Sequence, residues 1–289
     1  MIQSRLLCWV LLVSFSIGCT PGRSTPPITA PQPVNPAPES PPTVNPSTGP
    51  WSFKYTAGHL SYQIARTAVV ERLDSLSQRE ITTNTAHELL MLDSAEQGIT
   101  FTVVVDTFAT TTQGLIGAAQ STQLPAQISG SFTSNTLTIN GQTGNDRCNP
   151  INTVLITDLH NLLVPFPPVL SSGVTWTDTV DIQGCQSGVP TLSHTTRSYV
   201  VSGESSYEGQ PVIVVVRTDT TRAEGEGGLQ QHRVSTVGNA SGTATYYLNQ
   251  ATGQVPRLTL NQTLDLRVTT VARQYRFKQD SKQDFRIVP

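Results

Sequence analysis

The amino-acid sequence predicts a mainly β (α+β) fold, an antiparallel meander of about 9–11 strands that forms an open, curved sheet or half barrel with one inserted helix at about 151–164. Three observations support this prediction. Apolar and polar residues alternate with a period of two over most of residues 51–289, which is typical of half-buried strands. Only one stretch has helical spacing. The connections between alternating segments are short and polar, which favours antiparallel neighbours.

The first strands precede the helix. Leu60, Tyr62 and Ile64 alternate with polar or small residues, so they point to one side of a strand. The same pattern predicts strands at 80–93 and 98–108, followed by a hairpin with arms at 126–133 and 136–141 and a turn at Ser134-Asn135.

The predicted helix follows Asn149-Pro150, a typical start signal, and ends before Pro165. Its apolar residues recur at steps of three and four and are Val154, Leu155, Leu159, Leu162 and Leu163. Asp158 and His160 lie two positions apart and therefore on different faces, so we expect both to be solvated surface residues.

After the helix the sequence is strand-like. The pattern predicts strands at about 174–182, 191–203, 211–222, 229–237, 242–249 and 258–268. We expect turns at Glu208-Gly209 and Thr252-Gly253, and a mobile hairpin tip at 224–228. A sheet with one apolar face must cover that face, so it either closes into a barrel or stays open with the helix across its mouth.

The N-terminus carries an export signal. Arg5 precedes an apolar run from Leu6 to Phe15, which is too short to span a bilayer. Because Ser16 and Gly18 lead directly to Cys19, residues 1–18 resemble a bacterial lipoprotein signal peptide. The resemblance implies lipid attachment, such as palmitate, at Cys19. The alternative is an ordinary secretory signal that contains a cysteine.

In the same resemblance, Thr20 after the cysteine implies an outer-membrane lipoprotein of the bacterial cell envelope that faces the periplasm or the cell surface. Residues 19–50 are the predicted lipid anchor and proline-rich disordered tether, which reaches on the order of 90 Å at full extension. We expect residues 51–289 to form a single β-rich domain.

The composition excludes some partners. Without Arg5 the chain has 17 basic and 20 acidic side chains, a balance of −3. This small negative charge predicts no nucleic-acid binding. The expected partners are the membrane, through the N-terminal lipid, and a lipid or an envelope protein.

Two cysteines remain after the signal and Cys19. Cys148 and Cys185 form an even pair in an oxidising compartment, which predicts one disulfide bond. The alternative is a two-cysteine metal site, for which the sequence has no CxxC spacing.

Two further resemblances concern the body of the chain. Its element order and anchor resemble the Lol-type periplasmic carriers of lipoproteins and lipids, whose half barrel receives acyl chains on its concave face. Phe166-Pro167-Pro168, Gly173-Val174-Thr175-Trp176 and Gly242-Thr243-Ala244-Thr245-Tyr246 are similar to segments in a family of exported bacterial β-proteins of unknown function. This second resemblance implies a fold type and no activity.

The sequence indicates no chemistry. It contains no nucleophile elbow, zinc-protease motif, phosphate loop or dinucleotide fingerprint. The histidines are scattered over separate elements, and the carboxylates form no pair that predicts a raised pKa. We therefore expect no catalytic residue, no metal, no cofactor and no enzyme activity.

Two hypotheses follow. In the first, an apolar ligand such as a lipid or acyl chain lies between the concave sheet and the helix. The residues predicted to contact it are Leu159, Leu162, Trp176, Val180, Leu260, Leu264 and Leu266. In the second, these residues pack together as a filled core, and the protein is a structural or protein-interaction lipoprotein without a small ligand.

Overall fold

The computed structural model describes residues 49–74, 78–113, 124–133, 136–142, 148–186, 189–228 and 233–289. The predicted signal peptide, the lipid attachment at Cys19, almost all of the tether and the Ser134-Asn135 turn lie outside the described residues.

The described residues form one helix and 13 strands in chain order. The strands before the helix are β1 (Trp51–Ser52), β2 (Gly58–Arg72), β3 (Arg79–Ala95), β4 (Gly98–Gln113), β5 (Ala126–Thr133) and β6 (Thr136–Gln142). After α1 (Pro150–Leu162) come β7 (Val169–Leu170), β8 (Thr175–Gln186), β9 (Val189–Tyr207), β10 (Gln210–Gly227), β11 (Val234–Asn249), β12 (Gln254–Thr270) and β13 (Gln274–Ile287).

The main sheet confirms the predicted fold class. Eleven antiparallel strands pair in the order β6-β5-β4-β3-β2-β13-β12-β11-β10-β9-β8 and curl into a half barrel. The chain is a meander except that β13 pairs with β2, which joins the two halves. The edge strands are β6 and β8, and α1 contacts β5 on one side and β8 on the other. The helix therefore lies across the open side, while β1 and β7 form a separate two-stranded sheet.

Polar groups define both ends of α1. The Asn149 side chain accepts a hydrogen bond from the Ile151 backbone N–H at 3.0 Å, and Pro150 occupies the first turn, where no backbone donor is needed. At the other end, the Tyr55 hydroxyl accepts from the Val164 N–H at 2.9 Å and donates to the Leu162 carbonyl at 2.8 Å. The predicted helix start and stop are confirmed within two residues.

The core lies between α1 and one end of the concave face. The helix contributes Leu155, Leu159 and Leu162, all of which are buried. They pack in one apolar cluster with residues from both halves of the sheet, among them Ile64, Leu90, Phe101, Val201, Val215, Tyr246, Leu258 and Phe285. At the other end of the strands a smaller cluster contains Leu266, Val268 and Phe277.

Two predicted breaks in the sheet are wrong. Residues 238–241, between the predicted strands 229–237 and 242–249, lie inside β11, where Gly238 pairs with Leu266 on β12. Residues 224–227 belong to β10 rather than to a hairpin tip. A side chain at Gly225 would lie 2.5 Å from the Pro190 carbonyl oxygen, so the strands approach too closely for any larger residue.

Strand β13 is missing from the sequence prediction. Its inward positions include Phe277 and Phe285, but the three positions between them are polar: Gln279, Ser281 and Gln283. The alternation of apolar and polar residues is therefore lost in the middle of the strand. In contrast, the predicted turn at Glu208-Gly209 is confirmed, and both residues have positive φ, 50° and 76°.

Candidate functional site

The concave face is layered along the strands. One row, formed by Leu258, Tyr246, Val215 and Val201 on adjacent strands, is apolar and belongs to the core. A second row, two residues further along each strand, contains Arg217 and Tyr199. A third row, two residues further again, contains Asp219, Arg197 and Asp178. Charged side chains therefore lie on the inner face directly below the core.

Three other charged residues come from different parts of the fold and meet at α1. Arg66 on β2 donates a hydrogen bond to the Asp158 carboxylate on the helix, and the Arg66 Nη2 atom lies 3.4 Å from Glu88 Oε1 on β3. The side chains of Asp158 and Glu88 are each 2% exposed. We call Arg66, Glu88 and Asp158 the helix-anchor cluster, because it connects the polar face of α1 to the sheet.

The helix-anchor cluster holds two carboxyls against one guanidinium. Burial raises the pKa of Glu88 well above its ordinary value, and the neighbouring Asp158 charge raises it further. Burial also raises the pKa of Asp158, against the Arg66 charge that lowers it. One positive charge faces two carboxyls, and the pKa of Glu88, which burial and the Asp158 charge both raise, is shifted well above that of an ordinary carboxyl.

A second group of charges lies under the last turn of α1. Arg197 binds Asp178 through two nitrogens, at 2.7 and 2.5 Å, and donates to the His160 carbonyl at 2.7 Å. Arg217 donates to Asp219 at 2.7 Å. We call Arg197–Asp178 and Arg217–Asp219 the double ion pair.

The double ion pair is tied to the helix and to the core. Arg217 donates to the Asn161 side chain at 3.1 Å and to the Tyr246 hydroxyl. The side chains of Arg217 and Asp219 are only 3% and 4% exposed. Two arginines and two aspartates give this cluster no net charge. Because each charge has a partner within hydrogen-bond distance, the attraction within each pair offsets much of the desolvation cost of burying it.

A cavity of about 250 Å³ lies beside the double ion pair; we call it the inner cavity. Its helix side is polar and consists of Thr153, Thr157, His160 and Asn161. Its sheet side combines the apolar residues Val180, Ile182, Ala240, Leu260 and Leu264 with the hydroxyls of Thr191, Ser193, Thr195 and Thr221. Most of the strand residues in this wall are half-buried, so solvent reaches the cavity.

A second cavity of about 510 Å³ lies next to the first, and we call it the outer cavity. It is bounded by Gln142 at the end of β6, by Ile156 on α1 and by Leu192 and Glu224 on the other half of the sheet. Thr153 and Gly184 line both cavities, and a side chain at Gly184 would lie 2.8 Å from Thr153 Cγ2. The contact between α1 and β8 at these two residues therefore separates the cavities.

A disulfide bond holds this contact. Cys148, just before α1, is bonded to Cys185, next to Gly184 in β8, with the two Cα atoms 5.1 Å apart. The predicted pairing is confirmed, and it fixes the start of the helix to the edge strand.

The residues predicted to contact a ligand are divided among three places. Val180, Leu260 and Leu264 line the inner cavity. Leu159 and Leu162 lie in the core, and Leu266 lies in the small apolar cluster at the far end of the strands. Trp176 stacks on Tyr199 at 4.8 Å between ring centroids and packs against the core. A role for these seven residues in ligand binding stays a prediction.

The prediction that Asp158 is a solvated surface residue is wrong. Its side chain is 2% exposed and belongs to the helix-anchor cluster. His160 is half-buried beside the inner cavity. Burial and the nearby Arg197 charge lower the pKa of His160 to about 4, so its imidazole is neutral at neutral pH. The two residues do face different elements, as their spacing predicts.

The charged residues of the site could have been found from one feature of the sequence. Arg66, Glu88, Arg197, Arg217 and Asp219 all occupy inward positions that continue the apolar face of their own strands. A charge in such a position is buried and needs a partner. Except for the neighbours Arg217 and Asp219, the partners lie far away in sequence, so their identities could not be predicted.

Other site types have no counterpart among the described residues. No group of three His, Cys, Asp or Glu side chains there is arranged to hold a metal ion. His87 and His194 each contact an exposed aspartate, Asp106 and Asp181. Within the same residues, no helix has the length and apolar character needed to cross a membrane.

In comparisons with known proteins, no protein-family model matches the chain, and no curated protein matches it significantly. The functional interpretation therefore depends on the geometry of the site and on the N-terminal sequence.

Proposed function

We propose that the chain is a membrane-tethered lipoprotein of the bacterial cell envelope that binds a small, largely apolar ligand in the inner cavity. The anchor would be the lipid on Cys19, and the proline-rich residues 19–50 would hold the half barrel away from the bilayer. The observation that carries the proposal is the cavity itself, a concave site in which apolar side chains of the sheet lie beside hydroxyl groups and buried charged groups, a combination found in ligand sites. We propose no catalytic role.

The cavity differs in position from the site expected between the helix and the sheet. The apolar face of α1 is already covered, because Leu159 and Leu162 are 1% and 3% exposed within the core. A chain of lipid length has no space there. The ligand would instead lie beside the polar face of α1, against Val180, Leu260 and Leu264.

The volume of the inner cavity limits the size of the ligand. An apolar cavity of about 150 Å³ holds benzene, so about 250 Å³ would hold a ligand of about ten non-hydrogen atoms. A longer chain would have to extend past Thr153 and Gly184 into the outer cavity. Short or medium acyl chains therefore suit the inner cavity better than whole lipids.

A second candidate function has its own support. The complete burial of Leu155, Leu159 and Leu162 favours a structural or protein-interaction lipoprotein with a filled core. In that case the inner cavity would hold only water, whose hydrogen bonds the surrounding threonines and charged groups can satisfy.

Native mass spectrometry would separate the two functions. The protein is prepared with Cys19→Ser, so that it carries no lipid and is purified without detergent, and its mass is compared with that of two variants on the same background, Thr195→Phe and Thr196→Phe. Thr195 lines the inner cavity, whereas its neighbour Thr196 is exposed on the outer face of the same strand. The phenyl group of Thr195→Phe fills the cavity, and the other variant is the matched control.

A binding protein retains a small adduct in the unmodified form and in Thr196→Phe and loses it in Thr195→Phe. An adduct that persists in Thr195→Phe would place the ligand elsewhere. The absence of any adduct, together with no binding of added medium-chain compounds, would support the second function.

A further inference from the structure

We infer that the ligand of the inner cavity is uncharged and carries, besides its apolar body, a polar group that both donates and accepts hydrogen bonds, such as a primary amide or an alcohol. This inference rests on the proposed function and names the ligand class of the same site.

The charge balance of the cavity wall is the first argument. Arg197 is paired with Asp178 and Arg217 with Asp219, so no cation in this wall is left to neutralise an anionic ligand. His160, the other basic group along the cavity, is uncharged at neutral pH because its pKa is lowered to about 4. A carboxylate or an ammonium group would therefore enter a partly buried site without a counter-charge, which is unfavourable.

Two buried polar atoms beside the cavity have no hydrogen-bond partner in the part of the chain that the structure describes. Among the described residues, the Arg217 Nε donor and the Asp219 Oδ1 acceptor have no partner, although both side chains line the cavity and are almost fully buried. A buried polar atom without a partner is unfavourable, so a ligand group that supplies one is recognised strongly. An amide or hydroxyl group can donate to Asp219 and accept from Arg217. A carboxylate cannot donate and is repelled by Asp219.

The apolar wall defines the rest of the ligand. Val180, Ile182, Leu260 and Leu264 surround the part of the cavity away from the double ion pair. Two small residues on the inner face of β10 and β11, Ala223 and Ala240, also line the cavity and leave space along this wall. An unbranched alkyl chain next to the polar group suits this shape.

A matched set of alkyl probes tests the inference. Octanamide, octanoate and octylammonium share the same chain and differ in the charge of the polar end. Their binding to the full-length purified protein at neutral pH is measured by isothermal titration calorimetry. We expect octanamide to bind at least about tenfold more tightly than either ion, since an unpaired buried polar group or charge costs that factor or more.

The relative affinities of the three probes separate the inference from the proposed function. Equal or tighter binding of octanoate or octylammonium would overturn the inference and leave the proposed binding function intact. If none of the three probes binds and no adduct co-purifies, the proposed function itself fails, and the inference fails with it.

The Asp219→Asn variant tests the charge argument directly. Asparagine keeps the shape of the side chain and removes its charge, so Arg217 is left with an unbalanced positive charge beside the cavity. We expect the affinity for octanoate to rise about tenfold relative to octanamide. A folded variant, checked by near-UV circular dichroism, with an unchanged preference would contradict the argument. If the variant does not fold, the comparison of probes on the unmodified protein still decides the question.

Discussion

Replacing Arg66 by methionine tests whether the helix-anchor cluster holds α1 on the sheet. Methionine has a similar length but no charge, and it cannot donate a hydrogen bond. In the Arg66→Met variant, Asp158 on the helix and Glu88 on β3 lose the cation between them. Both carboxyls are about 2% exposed, so water cannot replace the lost contacts.

The expected loss of stability follows from this burial. Removing one partner of a buried ion pair typically costs about 3–5 kcal/mol, since it leaves an uncompensated charge inside the protein. The raised pKa of Glu88 favours uptake of a proton by this carboxyl, which limits the loss to the lower end of this range. We therefore expect the free energy of unfolding to fall by about 3 kcal/mol at neutral pH.

The loss should depend on pH. Without Arg66, the charge that lowers the pKa of both carboxyls is gone, so the pKa values in the folded state rise further above those of the unfolded chain. Groups whose pKa is raised on folding contribute stability at low pH and lose it as the pH rises. The difference between the unmodified protein and Arg66→Met should therefore be larger at about pH 8 than at about pH 5.

Urea unfolding followed by tryptophan fluorescence measures both effects. The control is Arg79→Met, because Arg79 forms an ion pair with Glu71 at 3.7 Å in which both side chains are about half exposed. Such a pair contributes at most about 1 kcal/mol. A loss in Arg66→Met that equals the control, or that does not change with pH, would refute the role assigned to the helix-anchor cluster.

Three further predictions concern the core, the disulfide and the anchor. Leu159→Ala should lower the free energy of unfolding by about 3–5 kcal/mol and Leu159→Met by less than about 1.5 kcal/mol, because the side chain lies in the packed core. Equal losses for the two variants in urea titrations would contradict this placement. The double variant Cys148→Ser/Cys185→Ser should be less stable by about 4 kcal/mol, given the loop of 37 residues that the bond closes, and an unchanged midpoint in denaturant would contradict it. Cys19→Ser should release the protein from the membrane fraction and abolish incorporation of labelled palmitate; a protein that stays in that fraction would remove the basis for the proposed anchor.

The fold could largely be predicted because its main signals are local. Period-two alternation, as at Leu60 to Ile64, and the helical spacing around Leu159 depend only on neighbouring residues and on one buried face. Strand β13 is not predicted because its inward residues Gln279, Ser281 and Gln283 are polar, and Gln283 lines the inner cavity. A site that needs space and polar groups thus weakens the very pattern that identifies strands.

The candidate site could not be predicted in the same way. Arg66, Glu88 and Asp158 meet only after β2, β3 and the helix have come together, and Arg197 binds Asp178 from a different strand. The inward positions of these charges on their strands indicate burial, but the sequence does not show which partner each of them meets. Glycine usually marks a turn, so Gly238 and Gly242 suggest a break in the sequence, but both lie inside β11.

The inner cavity as a ligand site is the central claim, and methyl NMR spectroscopy tests it most directly. Octanamide is titrated into protein with labelled leucine and valine methyl groups. We predict that the methyl resonances of Val180, Leu260 and Leu264, which line the cavity, shift with saturation, while those of Leu159 and Leu162 in the core stay unchanged. Shifts confined to the core leucines, or no saturable shift at Val180 and Leu264, would contradict the claim.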